Sequence, residues 1–293
     1  RDYYASRGLG DVYKRQIRLL SKADSKWYVS SDAANALAAR VALFQNKMTD
    51  AANYAEAVLA NSSFSLASTA MDFSKNWVAG NSSPEIIFAY VNNSRASSPL
   101  NFTLYVNDTD GSWNYAPSDW CYNSLFADDN TLSRKGDVRL KATFTSQDAN
   151  RVIKYPNGTY QLAETSDYTC TPVVISRISE MYLIKAEALG KTNGAAALVE
   201  YMKKRYTTAP SEAAIKALSD KEYQTLILDE RRREFYAEGM RWQDIKRTNR
   251  LELLETLDGR TYLMYYPIPQ DEIDMAGTVA YPQNPGYAGY TGN

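Results

Sequence analysis

The sequence predicts a mainly α protein in which tetratricopeptide-like helical hairpins carry a long loop-rich insertion and an irregular C-terminal tail. Three observations support that reading. Apolar residues recur at three- and four-residue steps in two separated blocks, and alanine dominates the positions where paired helices would cross. Between the blocks, Ala67 to Pro172 is rich instead in Asn, Asp, Ser, Thr and aromatic residues. At 293 residues the chain can bury one large core or two modest ones.

The first block opens at Ser31, whose hydroxyl suits an N-cap, and Ala34, Leu37, Val41 and Phe44 form its apolar line. After a polar break at Gln45 to Thr49, Ala51, Tyr54, Ala55, Val58 and Leu59 mark a return helix. The unit from Ser31 to about Phe64 matches the ~34-residue period of a tetratricopeptide repeat. Fewer than three such units are present, so a solenoid built from them is incomplete.

In the second block, near Arg177, Met181, Ile184 and Ala188 lie on one line, with Gly190 or Gly194 as the stop. Leu198, Tyr201, Met202 and Tyr206 then mark a return helix over Ala195 to Tyr206. Ser219 to Glu238 reads as the longest helix, with Tyr223, Leu226, Ile227 and Phe235 as apolar markers and Gly239 past its end. Trp242 to Arg250 follows as a short helix. Thr261 to Pro269 is predicted extended, because Pro267 and Pro269 lack N–H donors and bias their predecessors away from the helical region. Inside the insertion, Glu85 to Val91 reads as a buried strand and Ser118 to Ala127 as a short helix.

Charge and composition exclude several classes of function. Lys and Arg total 33 against 34 Asp and Glu, a net of −1 with no basic stripe, so nucleic acid is not the expected partner. With no histidine, the chain has no Ser-His or Cys-His nucleophile and no His-based metal site. Cys121 and Cys170 are too few for a disulfide framework, and lone cysteines tend to be buried, so the unpaired reading is preferred. The longest apolar run, Pro84 to Val91, falls far short of the ~20 residues of a membrane span. Asn107 to Gly111, NDTDG, fails as a calcium loop: with Gly111 as the turn glycine, Val106 takes the first ligand position and Pro117 the place of the bidentate Glu. No cofactor is expected.

Trp77, Trp113 and Trp120 fall in the insertion, and the last two bracket Asn114, Tyr115 and Asp119. Sugars present an apolar C–H face and a rim of hydroxyls, so they are bound by flat rings beside planar hydrogen-bonding groups. Trp113, Tyr115 and Trp120 are therefore candidate stacking residues, with Asn114, Asp119 and Asn107 as hydroxyl partners. The competing reading is that these rings fill a small satellite core, which suits Trp77 best. In the charged run Asp229 to Glu238, the spacing fits a solvated helix face paired as Asp229 with Arg233, Arg231 with Glu234, and Glu238 with Arg241. It equally fits arginines that reach across to carbonyls and carboxylates of other segments; both readings are architectural.

The stretch DERRREFYAEGMRWQDIKR, Asp229 to Arg247, followed by YPIPQDEID, Tyr266 to Asp274, and QNPGY, Gln283 to Tyr287, closely resembles the closing signature of the SusD/RagB family of surface nutrient-binding lipoproteins. SSPEIIFAY at Ser82 to Tyr90, GDVRLKATF at Gly136 to Phe144 and the AEA element at Ala186 to Ala188 extend the likeness in family order over Lys26 to Tyr287. The resemblance implies one SusD-like domain over 17–293. Residues 31–66 would form a hairpin, 67–172 the insertion carrying the ligand surface, and 173–293 a second hairpin with the signature. It also implies an outer-membrane, cell-surface location through a lipid anchor. The implied work is capture of an oligosaccharide or polysaccharide, without turnover, and its delivery to a SusC-like TonB-dependent transporter.

Arg1 to Gln16 resembles adapter read-through and is expected to be non-native, with the true start and anchor segment missing. Alternatives from the same residues are a peptide or glycopeptide binder, a glycoside hydrolase with two facing carboxylates, and a repeat scaffold for protein partners.

Overall fold

The computed structural model describes residues 19–22, 25–78, 83–90, 117–144, 152–155, 172–254, 257–276 and 282–288. The chain divides into two compact units, Arg1–Glu238 and Gly239–Asn293.

In the first unit, α1 (Ser31–Phe44) and α2 (Met48–Leu59) pack as a helical hairpin. Ser30, one residue before the expected cap, accepts the Ala33 N–H at 3.1 Å. The buried line of α1 is Ala33, Ala36, Ala39, Ala42 and Leu43, which meets Ala51, Ala55 and Val58. The predicted line is corrected: Leu37, Val41 and Phe44 remain 42%, 41% and 37% exposed. Methyl side chains let the helix axes approach closely, and this outcompetes burial of the larger residues on the neighbouring face.

The second hairpin is two helices within Ile178–Arg205 (α5), separated at Gly190, whose φ of 66° and ψ of 175° end the first helix and redirect the second. Gly190, not Gly194, is therefore the stop. Met181 and Ile184 join the alanine core, and Arg40 ties α1 to α5 by a fork onto Glu180, at 2.8 and 2.6 Å. Strands β1 (Ile86–Tyr90) and β3 (Val173–Arg177) pair antiparallel with irregular register at Phe88, which gives the predicted buried strand a partner. The short α3 (Ala70–Ser74) packs on α4 (Val138–Thr143), and there Trp77 is 1% exposed, edge-on to Phe73 and Tyr155. Trp77 is a core residue. Strands β2 (Lys135–Asp137) and β4 (Tyr206–Thr208) pair, and α6 (Glu212–Lys216) leads into α7 (Asp220–Glu234).

Ser219 and Glu222 close a capping box at the start of α7. The helix ends at Glu234, four residues before the expected Glu238, and the chain turns through Ala237 at φ 61°. Its charged run is not a solvated face. Glu230, Arg231, Arg233 and Glu234 are all buried, and two of them are hubs of a lattice. Glu234 accepts from Arg177 at 2.6 Å, Arg205 at 2.9 Å and the Tyr201 hydroxyl at 2.8 Å. Glu230 accepts from Arg139 at 2.9 Å, Arg233 at 2.9 Å and Tyr206 at 2.6 Å. Glu85, from the turn before β1, accepts from Arg205 at 2.7 Å and from the Ala67 and Asn76 nitrogens at 2.7 and 2.9 Å.

Burial alone would raise the Glu230 carboxyl, but Arg139, Arg233 and Arg134 together hold it down at about 2. The same opposition, won by Arg205 and Arg177, keeps Glu234 well below the usual carboxylate range. Five segments distant in sequence are thus fixed by charge-assisted bonds in a buried interior, where an unmatched partner would be costly.

In the second unit, α8 (Met240–Thr248) starts after Gly239 at φ 77° and ends at Asn249 at φ 53°. Leu251–Leu253 and Thr261–Met264 are 3₁₀ turns, and α9 spans Gln270–Met275. The predicted extended stretch begins only at Tyr265. The constraint of Pro267 reaches no further back than Tyr266, so residues before it remain able to turn, as in the 3.0 Å bond from Leu263 N–H to the Arg260 carbonyl. Beyond it, Gln283 clamps the Ile268 backbone from both sides, at 2.7 and 2.8 Å. No helix among the described residues is long and apolar enough to cross a membrane. Residues 1–16 lie outside the described residues.

Candidate functional site

The predicted helix around Ser118 to Ala127 is a short helical turn whose centre, Cys121–Leu125, is π-helical, a rare geometry that recurs at functional sites. Ser118 starts it by accepting the Cys121 N–H at 3.2 Å. Cys121, Leu125 and Phe126 are buried against Phe144 and Val152, with Phe126 and Tyr236 edge-on to the Phe144 ring. Cys121 is a free thiol, its pKa raised by burial, while Cys170 lies outside the described residues.

With that face inward, Asp119 and Trp120 are left outward. Trp120 is 45% exposed, and the Arg232 guanidinium lies 4.5 Å from its ring centroid. A cation stacked on one face stiffens the indole without covering it, because planar guanidinium is weakly hydrated and stacks readily.

Arg233, the next residue, donates to the Leu125 carbonyl and so fastens the π-helical turn to α7. Alongside runs a groove of about 790 Å³ between α7 and the turn Asp129 to Arg134. The turn is self-supporting: Asp129 Oδ1 accepts the N–H of Thr131 and Leu132 at 2.9 and 3.2 Å, and Asp129 and Arg134 exchange backbone bonds at 2.7 and 2.8 Å. Asp129, Glu222 and Asp229, the cations Arg134, Lys221 and Arg233, and the hydroxyls of Thr131 and Thr225 line the groove together with Leu132 and Leu226. Hydroxyls and carboxylates beside these leucines can accept and donate along a polyhydroxylated ligand.

Of the predicted site residues, the structure brings Asp119 and Trp120 to one exposed turn. Asn107, Trp113, Asn114 and Tyr115 lie outside the described residues, as does NDTDG at 107–111. Sequence reasoning missed Arg232 and the groove. Arg232 was hidden in a run whose other arginines are buried, and the groove wall Asp129 to Arg134 carries no aromatic signal. Among the described residues, no group of three or more His, Cys, Asp or Glu is placed to hold a metal ion.

The fold and this surface define a class: helical-hairpin proteins, locked by a buried arginine–carboxylate lattice, that present an exposed indole and a polar groove. The family model described as the SusD family matches residues 110–259, just over half of the chain, and the chain belongs to that family. A SusD-like protein of Formosa agariphila is 30% identical over 142 residues, which cover 44% of this chain and 27% of that relative's own length. A SusD-like protein of Bacteroides fragilis superposes with a TM-score of 0.66 at 18% identity, over 94% of this chain and 70% of that one. A laminarin-binding SusD-like protein superposes with a TM-score of 0.59 at 21% identity, over 94% and 68%.

Proposed function

We propose that this protein captures oligosaccharide or polysaccharide nutrients at the cell surface and hands them to a SusC-like TonB-dependent transporter in the outer membrane, held there by a lipid anchor. The observation that carries the binding half is the exposed, arginine-backed ring of Trp120 in a chain of this family. In this reading Trp120 stacks on a sugar ring together with Trp113 and Tyr115, and Asp119, Asn114 and Asn107 contact hydroxyls. Membership of a family that includes a laminarin-binding member supports a glycan as the ligand class, and the delivery step extends the same kinship.

Binding without turnover is the reading we adopt, and Glu222, which lines the groove, is committed to the capping box of α7, where hydrogen bonds from Ser219 hold its carboxyl below the ordinary value. The test is calorimetric titration of neutral β-glucan oligosaccharides into the parent protein and Trp120→Ala. We expect at least a tenfold loss of affinity, about 1.4 kcal/mol, without loss of fold. Equal affinities would remove Trp120 from the site, and release of reducing sugar would replace capture by hydrolysis.

A further inference from the structure

The second unit contains its own cavity, of about 510 Å³, between the end of α8 and the 3₁₀ turn Thr261–Met264. Tyr262 and Tyr265 line it, with Asn249 and Asn284 contributing amides and Lys246 an ammonium that sits 4.9 Å from the Tyr265 ring centroid. Tyr265 is 57% exposed.

The QNPGY tail holds the Tyr262 ring and the Tyr265 backbone. Gly286, at φ 89°, abuts Tyr262 so closely that a Cβ there would fall 2.3 Å from the ring, and the Tyr287 ring meets Tyr262 edge-on at 5.1 Å. The Tyr287 hydroxyl donates to the Tyr265 carbonyl at 2.6 Å, and Asn284 donates to that of Tyr266 at 2.8 Å. A ring fixed before binding, as Tyr262 is, loses little freedom when a ligand arrives.

Charge separates this cavity from the first-unit groove. The groove carries both signs, Asp129, Glu222 and Asp229 beside Arg134, Lys221 and Arg233, whereas among the described residues no carboxylate lines the cavity and Lys246 is its one charged side chain. We propose that this cavity is a second saccharide site, one that favours a carboxylate-bearing sugar. A pyranose C–H face lies on the exposed phenol, the amides take its hydroxyls, and Lys246 pairs with the uronate. The proposal rests on the glycan reading for its class of ligand, but on a different unit and different residues.

The probes are trigalacturonate and its methyl ester, which share a backbone and differ in charge, titrated into the full chain and its variants. The parent protein is expected to bind the acid about tenfold more tightly than the ester. Lys246→Gln, a change at an exposed position that leaves the fold intact, should abolish that preference while sparing ester affinity, and Tyr265→Ala should weaken both ligands. Retention of the full acid preference in Trp120→Ala supports a site independent of the first-unit surface. The proposal is overturned if the parent binds neither probe, if Lys246→Gln keeps the preference, or if acid binding is lost in Trp120→Ala and unchanged in Tyr265→Ala.

Discussion

Glu230 offers the sharpest test of the buried lattice. Its carboxyl is fully enclosed and accepts from Arg139, Arg233 and the Tyr206 hydroxyl, and its pKa is held at about 2 against an ordinary 4.5. The folded-state pKa is depressed, so the stabilisation is complete above the unfolded value of 4.5 and is lost as pH falls from there through about 2. The difference corresponds to about 3 kcal/mol. Glu230→Gln keeps the shape but turns an amide NH₂ toward guanidinium donors. At pH 7 it should cost about 3 kcal/mol in urea unfolding, and lower the melting temperature by roughly 6–12 °C. Because the neutral amide imitates the protonated acid, the two stability curves should converge as pH falls toward 2. A cost under about 1 kcal/mol at pH 7, or a gap that stays constant between pH 7 and pH 3, would refute the reasoning.

Burial lowers the Lys154 ammonium to about 8 despite Glu238 beside it. The unfolded chain then holds the extra proton above pH 8, so stability should rise by about 2 kcal/mol from pH 8 to 10, a rise that Lys154→Met should flatten. Above pH 10, Tyr201 and Tyr206, whose pKa values are raised by burial, should reverse the trend, visible as a maximum in melting temperature against pH. Trp77→Ala should cost about 3–5 kcal/mol by emptying a core site, whereas Trp120→Ala should change unfolding by about 0.5 kcal/mol or less. Ser219→Ala removes the capping box of α7 and should cost about 1 kcal/mol, measured by the same urea titration.

Helices were legible where apolar period and stop signal agreed, as at Gly190, and the start of α7 was legible though its end came four residues early. The face of α1 was not, because the eye weights Leu37, Val41 and Phe44 over alanine, while close packing weights the reverse. The fate of Asp229 to Glu238 was undecidable from spacing, since solvated and buried arginines share the same helical repeat. What decides is the presence of Glu85, Tyr201 and Tyr206 around them, and no local pattern announces those partners. At the candidate site, the short helix that Trp120 opens was legible in the sequence, and the exposure of its ring was not. Arg232 and the cavity beside Tyr265 depend on contacts made only after the chain has folded.

The lattice also shapes how this molecule can come apart. Its bonds join residues as far apart in sequence as Arg205 and Glu85, 120 positions, or Arg205 and Ala67, 138 positions. A half-open species would strand ionised groups in a greasy interior, so partial opening is penalised and this part of the chain should yield in a single step rather than fray. Proteases would then find few sub-global openings through which to cut, and resistance to them should track global unfolding.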